Sequence, residues 1–583
     1  LKDAAGQLFA DLALTIAIAV TISLLVAVTV LPLAARRWLP DVPLKDAHAN
    51  AWGRLAGKLV WLTGSPKRRW LLIGTLMTLP VFATWKMMPP LDYLPPVTRD
   101  AVDAFFQFPP GANTETIKTE IIDEMVERLQ PYMDGEKEPA LKNYYFLTWP
   151  NGGTLGIRAL DQGKVEELQR LVREEITVGF PDVRAFAAQG NLFGGFGGSR
   201  QVSILLQSRD QDALLAAGRA GMALVQQELP GAQVQPWPGL ELAQPELRLT
   251  PDDQRIIEAG WSRGNIATVM RALGDGVWVG EHFDGDKRMD VILRAEGWDN
   301  PEELANVPLA TPSGAVLPLG ELVEIDRTVG PNTIHRVDRR RTLRLNVNPP
   351  ERMSLEETLT AIKERIEPQL REILPPGATI QYGGSAGALE SAIGNLSENF
   401  FLALLVLFLL MSALFRSLKD SLLVLLCLPL ATVGGVTAMQ ILNTITFQPL
   451  DLLSMIGFII LMGLVVNNAI LLVHQTRCAE REGLNRADAV AQALRLRLRP
   501  IFMSTLTSIF GMLPLVLMPG AGSVIYRGLA TVIVGGMSVS TLFTLVLLPC
   551  LLRLGEHRTV ARAETVSYTH LTLPTIILPC RSR

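Results

Sequence analysis

The sequence predicts a polytopic α-helical membrane protein with a large α/β region between its second and third membrane helices. Two observations support this fold class. Apolar residues are dense before position 90 and after position 396 but ordinary in between, in a chain that is 48% hydrophobic overall. The middle stretch repeats strand-like and helix-like segments and contains no cysteine, so disulfides do not stabilise it. These patterns indicate two membrane sectors flanking one soluble region.

The apolar segments predict seven membrane helices. Six segments approach or exceed the roughly 20 residues that a bilayer requires. The last segment is long enough for two helices, and Pro519, Gly520 and Gly522 disfavour a continuous helix within it. The segments are expected at about 12–34, 70–88, 399–415, 421–442, 452–474 and 502–553.

The positions of Lys and Arg predict the orientation of these helices. Basic residues crowd the stretch 36–69, which is therefore expected to be a cytoplasmic loop. The soluble region, residues 89–398, then lies on the opposite side of the membrane. The Arg-rich stretch 474–500 returns to the cytoplasm.

The soluble region has the pattern of an α/β fold. The segment "AVDAFFQFPPGA" alternates loosely and ends in a Pro-Gly turn, which is typical of a strand, and an amphipathic helix follows it. The strand-helix-strand pattern recurs later in the chain. Two small split-βαβ units of the ferredoxin-like type are therefore expected, with an inserted module dividing the second.

Composition and motifs disfavour several classes of protein. The formal net charge of −3 gives no sign of a nucleic-acid partner. No Walker A string is present, which disfavours an ATP-driven pump, and no nucleophile-base set indicates an enzyme. The six histidines lack ligand spacing, so no metal site or cofactor is expected. We expect the chain to be a fragment, and we interpret the tail from about Val566, "VSYTHLTLPT", as non-native sequencing-adapter translation.

Four strings carry a resemblance to a known family. They are "PPLDYLPPVTRDAVDAFFQFPPGA", "ATPSGAVLPLGELVEI", "GLVVNNAILLV" and "RLRPIFMSTLTSIFGMLPLVLMPGAGS". Together they resemble the resistance-nodulation-division (RND) efflux permeases, over about residues 1–555. The resemblance implies the C-terminal portion of a secondary transporter, not an enzyme, in the Gram-negative inner membrane. It further implies a homotrimer, a periplasmic adaptor, an outer-membrane channel, and proton-driven export of hydrophobic or amphiphilic compounds.

The resemblance also implies a domain organisation. The seven helices would be the family's sixth to twelfth, and the soluble region would be periplasmic. The implied domains are a membrane helix at 1–35, a cytoplasmic loop at 36–69, a membrane helix at 70–88, porter units at 89–240, a docking-like insertion at 241–331, the rest of the second porter unit at 332–396, five membrane helices at 397–555 and a tail at 556–583.

The resemblance assigns a proton relay to polar residues of the last membrane helices. The family's paired aspartates belong to its fourth helix, upstream of residue 1, so this chain alone is expected to transport nothing. Asn467 stands where the family commonly has Lys, and Arg497 and Ser504 match the relay's Arg and Ser/Thr. Polar groups inside a membrane are costly and usually functional, so Asn467 or its neighbour Asn468 is expected to face the proton site. The alternative is that both amides only bind helices together.

Two further features of the soluble region have a functional and a structural interpretation. The aromatic residues Phe105, Phe146 and Trp149 are candidates for lining a substrate cleft, because clefts for amphiphiles are apolar and aromatic. The alternative is ordinary sheet core. The Gly-rich string "GNLFGGFGGSR" suggests a hinge between porter units at Gly194, Gly195, Gly197 and Gly198. The alternative is a passive linker.

Two rival functions remain open at this point. One is the metal-exporting branch of the family, which uses Met ligands suited to soft Cu(I) or Ag(I). Met222, Met270, Met289 and Met353 lie in the soluble region, but nothing in the sequence pairs them. The other is a receptor or assembly factor that has the same fold but does not transport.

Overall fold

The structure, a computed structural model, describes most of the chain. It covers residues 4–554 except 39–48, 96–97, 110–112, 150–151, 182, 192–199, 241–243, 275, 296–299, 331–332, 351, 519 and 521–522. The predicted hinge glycines Gly194, Gly195, Gly197 and Gly198 lie outside the described residues, and so does the tail from residue 555.

Three helices precede the soluble region: α1 (Ala4–Trp38), α2 (Ala49–Leu62) and α3 (Pro66–Met87). Helices α1 and α3 cover the two apolar segments predicted there. Helix α2 lies in the stretch predicted as a loop. It was missed because Gly53, Gly57 and its basic residues lower the hydropathy, whereas Ala56 is buried against the membrane helices.

The first α/β unit is a four-stranded antiparallel sheet with helices on one face. The strands hydrogen-bond in the order β2-β3-β1-β4. The helices contribute Met125, Leu129 and Leu168 to a core that also buries Leu155 and Ile157 of the sheet. The elements are β1 (Thr98–Gln107), α4 (Thr114–Thr116), α5 (Asp123–Met133), β2 (Leu141–Trp149), β3 (Gly152–Ala159), α6 (Val165–Leu171) and β4 (Arg184–Asn191), with π-helical segments at Ile117–Ile122 and Val172–Ile176.

A second α/β unit starts after the first and is interrupted by an inserted module. Its first elements are β5 (Val202–Gln207), α7 (Gln211–Glu228) and β6 (Gln233–Trp237). The module has its own small core, which includes Ile256, Ile266 and Leu319. Its elements are β7 (Gln244–Pro251), α8 (Asp253–Glu258), α9 (Arg263–Leu273), β8 (Val277–Phe283), β9 (Arg288–Leu293), α10 (Pro301–Ala305), β10 (Pro308–Ala310), β11 (Val316–Pro318) and β12 (Val323–Gly330).

The second unit closes after the module. Its strands hydrogen-bond in the order β13-β14-β5-β15. Strand β13 pairs with the first two residues of β14, and β6 pairs with the last five. Ser354 and Glu357 form a capping box that starts α11. The elements are β13 (Arg336–Val337), β14 (Arg340–Asn348), α11 (Leu355–Ala361), α12 (Glu367–Ile373) and β15 (Thr379–Gly384).

The C-terminal membrane sector contains the remaining helices. Leu418–Ile445, which combines α14 and α15, forms one of seven bilayer-length apolar spans in the described part of the chain. The helices are α13 (Ser385–Phe415), α14 (Leu418–Leu425), α15 (Leu428–Ile445), α16 (Leu452–Arg481), α17 (Arg486–Leu517) and α18 (Arg527–Leu552).

Several of these helices are longer than their apolar segments. Helix α13 begins at Ser385, whereas hydropathy predicted residue 399, because its polar first turns continue towards the soluble region. Helices α16 and α17 together occupy most of the stretch predicted as a cytoplasmic loop, 474–500. Asn485 caps α17 by accepting a hydrogen bond from the Asp488 N–H at 2.9 Å.

Glycines allow α15 and α18 to approach closely. A Cβ atom on Gly434 would lie 2.6 Å from the carbonyl oxygen of Gly535 and 2.7 Å from the Cβ of Val539. Gly535 on α18 is equally crowded against α15, and a Cβ atom on Gly536 would meet Leu461 of α16 and the Ala431 carbonyl of α15. Small residues at such contacts let helix backbones pack within a membrane, where no hydrophobic force drives them together.

We predict that Gly434→Ala lowers the thermal stability of the chain in detergent, by roughly 1–3 kcal/mol, because the added methyl overpacks the contact. Gly74→Ala in α3 is the matched control, since no atom lies within 4 Å of the added Cβ. It should leave stability unchanged or raise it slightly. Equal melting temperatures for both variants would contradict the close approach of α15 and α18.

Candidate functional site

The first site is a cluster of polar side chains between α16, α17 and α18. Asn468 on α16 is buried, and its Nδ2 donates to Thr505 Oγ1 at 3.2 Å. Thr505 in turn contacts Thr541 Oγ1 on α18 at 3.1 Å. Ser504 Oγ donates to the Asn468 side-chain oxygen Oδ1 at 3.4 Å, a long hydrogen bond. Asn468 therefore connects three helices, which matches the helix-binding interpretation of this amide.

Asn467 points away from this cluster. Its side chain is exposed, and so are the residue Gly463, four positions before it, and the His474 side chain, seven positions after it. These spacings place the three on one face of α16. Ser504 on the neighbouring α17 is exposed as well. The two adjacent asparagines therefore differ: Asn468 is packed between helices, and Asn467 lies on an exposed face of a bilayer-length helix.

Arg497 does not join either asparagine. It lies seven residues before Ser504 on α17, hence about two helical turns away. Its Nε and Nη2 donate to the Gln475 side-chain oxygen at 3.2 and 2.8 Å. Of the four predicted relay residues, the structure brings Asn468 and Ser504 into contact, leaves Asn467 exposed beside them, and holds Arg497 nearer the end of the helices.

The second site is a cleft of about 1290 Å³ between the two α/β units. Phe105 of β1 and Phe186 of β4 are register partners that line the wall formed by the first unit. Trp149 stands at the end of β2, where Gly152 leaves room for its indole. Trp237 at the end of β6 lines the opposite wall, so that each unit contributes a half-exposed tryptophan.

Phe146, the third predicted cleft residue, lies elsewhere. It packs at the margin of the first unit's core, with Tyr144 as its edge-on aromatic neighbour at 6.0 Å. Its place on β2 matches the sheet-core interpretation, whereas Phe105 and Trp149 line the cleft. Sequence reasoning missed Trp237, which lies in "QVQPWPG". The signal in the sequence for a cleft residue at this position was an aromatic side chain at the end of a predicted strand.

A third feature joins the soluble region to the membrane helices. The tripeptide Pro-Leu-Asp occurs after α3, at Pro90–Asp92, and again before α16, at Pro449–Asp451. The two copies pair as a parallel bridge at Leu91 and Leu450. The Asp92 N–H donates to the Leu450 carbonyl at 3.1 Å, and the Leu450 N–H donates to the Pro90 carbonyl at 3.0 Å. Each copy therefore supplies the backbone partners of the other.

The aspartates of these tripeptides are fully buried close to one another. Asp451 caps α16 by accepting from the Ser454 N–H at 2.7 Å. The Nε of Arg200, just before β5, lies 3.0 Å from the Asp92 carboxylate. Burial raises the pKa of Asp92 to about 7, with Arg200 opposing the rise and Asp451 adding to it. Burial also raises the pKa of Asp451 to about 6, against hydrogen bonds from Ser454 and Gln448.

Within the described residues, no group of three or more His, Cys, Asp or Glu side chains is placed to hold a metal ion. The four methionines considered from the sequence are spread over different parts of the soluble region. Met222 and Met353 pack at the core of the second unit, Met270 packs in the inserted module, and Met289 is exposed on β9.

Most of this chain is similar to known proteins. The AcrB/AcrD/AcrF family is matched over residues 158–555. The chain is 30% identical over 377 residues to the cobalt-zinc-cadmium resistance protein CzcA of Cupriavidus metallidurans, covering 62% of this chain and 34% of that protein. It is 32% identical over 361 residues to protein HelA of Legionella pneumophila, covering 60% and 33%.

Solved structures show the same fold. An X-ray crystal structure of a heavy metal efflux pump superposes with a TM-score of 0.69 at 22% identity, covering 88% of this chain and 52% of that one. A second crystal form gives a TM-score of 0.68. The chain spans about a third of the length of the curated relatives and about half of the solved structures.

We predict that Asn468→Ala lowers the stability of the membrane sector by about 1 kcal/mol, because Thr505 loses its buried donor and a small cavity forms. Asn467→Ala is the matched control at the adjacent position, and we expect it to leave stability unchanged. Thermal unfolding of both variants in the same detergent measures this difference. Equal losses of stability in the two variants would contradict the finding that Asn468 is packed and Asn467 is exposed.

We also predict that the junction formed by these two aspartates makes the stability of the chain depend on pH. Between the ordinary value of 3.8 and about 7, folded Asp92 retains a proton that the unfolded chain releases. The free energy of unfolding therefore falls as pH rises through this window, by roughly 1.4 kcal/mol for each unit of the pKa shift. Asp92→Asn should flatten this slope, and thermal unfolding from pH 4.5 to 7.5 measures it.

The exposed Asp338, in the turn before β14, provides the control for this experiment. Asp338→Asn removes a carboxylate without touching the junction, so the slope of the unmodified chain should remain. An unchanged slope in Asp92→Asn would show that Asp92 does not hold the proton. Asp451, whose pKa is raised in the same direction, supplies any slope that is left.

Proposed function

The chain belongs to the AcrB/AcrD/AcrF family of RND efflux permeases, and from this premise we propose that it forms the C-terminal part of a proton-driven exporter of amphiphilic compounds. The complete protein would be an inner-membrane homotrimer of a Gram-negative bacterium. Its split-βαβ porter units would be periplasmic. A periplasmic adaptor and an outer-membrane channel would complete the export path.

The exposed Asn467 carries the proton-driven part of this proposal. An amide at the middle of a bilayer-length helix is costly when it faces lipid, so a protein surface is expected to cover it. Gly463, Ser504 and His474 extend the same open face along α16 and α17. This face fits a partner helix that carries carboxylates, because an amide can donate hydrogen bonds to a carboxylate.

The cleft between the α/β units supports the second part of the proposal, the export of amphiphilic compounds. Its volume suits an organic compound, and its tryptophans and phenylalanines offer the apolar and aromatic lining that such compounds need. Its position between two separately packed units would allow it to open and close as the units move.

Metal export is a second candidate, favoured by the names of the relatives. CzcA is named for cobalt, zinc and cadmium resistance, and the solved structures are of a heavy metal efflux pump. The chemistry of the cleft argues against it. Among the described lining residues Met222 is the single thioether and His335 the single imidazole, and they include no carboxylate or thiol, so the ligands that a metal ion needs are few.

We predict that Asn467→Leu abolishes export by the complete transporter at an unchanged amount in the membrane, because leucine cannot donate a hydrogen bond to a carboxylate. Asn467→Lys should retain export and shift its pH dependence to lower pH, because the added cation stabilises a deprotonated partner. Accumulation of a fluorescent amphiphile, followed in cells under an imposed proton gradient, measures both effects.

Ile470→Leu, one turn further along α16, is the control for an apolar change in the same helix. Its export should equal that of the unmodified transporter. Equal export by Asn467→Leu would contradict a relay role for this face. If an imposed proton gradient drives the unmodified transporter to export neither a compound nor a metal, the result would instead favour the receptor or assembly-factor alternative.

A further inference from the structure

The cleft between the two α/β units carries predominantly one sign of charge. Among its described lining residues three are arginines and none is Asp or Glu, although the chain as a whole has 54 basic and 57 acidic residues. Composition therefore does not explain the asymmetry. His335 also lines the cleft, but burial and the nearby Arg344 lower its pKa, so it is neutral at neutral pH. The positive potential of the cleft comes from guanidinium groups.

Two of these arginines enter from opposite walls. Arg173, in the π-helical segment of the first unit, donates from Nε to the Ala187 carbonyl at 3.0 Å, which anchors its head beside β4. Arg341, on β14 of the second unit, donates from Nη1 to the Gln211 side-chain oxygen. Neither forms an ion pair with a carboxylate of the described residues. Each guanidinium therefore keeps N–H groups for an anion placed between the walls.

An apolar surface accompanies each of these charges. Trp149 on the first wall is 45% exposed, and Trp237 on the second is 44% exposed. Trp237 is held edge-on by His335 at 4.4 Å, with the Arg344 guanidinium 5.6 Å from its ring. Aromatic surface and arginine on both walls match a molecule that has an apolar body and an anionic head.

We infer that the cleft binds amphiphiles with an anionic headgroup, such as a carboxylate, sulfate or sulfonate, in preference to cationic amphiphiles and metal cations. This inference rests on the export function proposed above and specifies its substrate class. Guanidinium groups bind planar or tetrahedral oxyanions through paired N–H donors, whereas a cation meets repulsion and few oxygen ligands of opposite charge.

The test uses the complete transporter in a host that lacks other amphiphile exporters. The probes are dodecyl sulfate, dodecyltrimethylammonium, which has the same alkyl chain, and Zn²⁺. The variant is Arg173→Gln with Arg341→Gln. The control, Arg170→Gln with Arg340→Gln, removes the same charge from exposed neighbours on the same two units. Arg340 alternates with Arg341 along β14 and so points to the other face of the sheet.

We expect the cleft variant to lower tolerance of dodecyl sulfate roughly tenfold and to leave or raise tolerance of dodecyltrimethylammonium. The control variant should match the unmodified transporter. Arg173→Lys with Arg341→Lys should restore part of the dodecyl sulfate tolerance, because it keeps the charge and loses the paired donors. Immunoblots of membranes verify equal amounts of each protein.

Other outcomes overturn the inference. Equal loss of tolerance to both amphiphiles would assign the arginines a structural role. Zinc tolerance that depends on the cleft while dodecyl sulfate tolerance does not would assign the cleft to metal export. If the unmodified transporter protects the host no better than the absence of the transporter does, against any probe, the proposed export function itself fails, whatever the cleft variants do.

Discussion

The paired Pro-Leu-Asp segments connect the two halves of this molecule. The segment that follows α3 and the segment that leads into α16 meet at the same place beside the membrane helices, and backbone groups there need partners that neither lipid nor a helix provides. Leu91 and Leu450 provide them for each other. Leu91 also accepts from the Glu356 N–H at 3.2 Å and donates to the Glu356 carboxylate at 2.8 Å, which attaches the second α/β unit. Two buried aspartates lie near each other at this point and Arg200 pairs with one of them, Asp92, so the junction is polar and specific, and we expect it to respond to pH.

This arrangement gives a continuous series of contacts from the cleft to the membrane site. Strand β14, which carries Arg341, pairs with β5, and Arg200 lies just before β5 and contacts Asp92. Asp92 lies beside Asp451, which caps α16, and α16 carries Asn467 and Asn468 at its middle. These contacts offer a route for the coupling of substrate binding to proton movement that the proposed exporter needs, and double-mutant cycles measure the strength of such coupling.

The sequence predicted the architecture better than the sites, for identifiable reasons. Apolar runs of bilayer length mark membrane helices directly, and helices occupy all seven predicted segments. Their ends were misplaced because helices such as α13 continue through polar residues, which hydropathy does not count. The asparagines could not be assigned from sequence, because adjacent residues on a helix point about 100° apart and the covered face depends on neighbouring helices. The Asp92–Asp451 contact joins positions far apart in the chain, and its only local signal was a repeated tripeptide.

In the function that we propose, the family fold and the choice of substrate depend on different residues. The membrane glycines and the helix caps specify a scaffold that relatives share at about 30% identity, and a scaffold alone does not determine what is transported. We propose that the cleft wall selects the substrate, through the sign of charge that a bound molecule meets. Export of metal cations through the same surface would call for several thioether, thiolate, imidazole or carboxylate ligands. Arg173 and Arg341 offer the opposite chemistry, so the same scaffold is consistent with a different cargo.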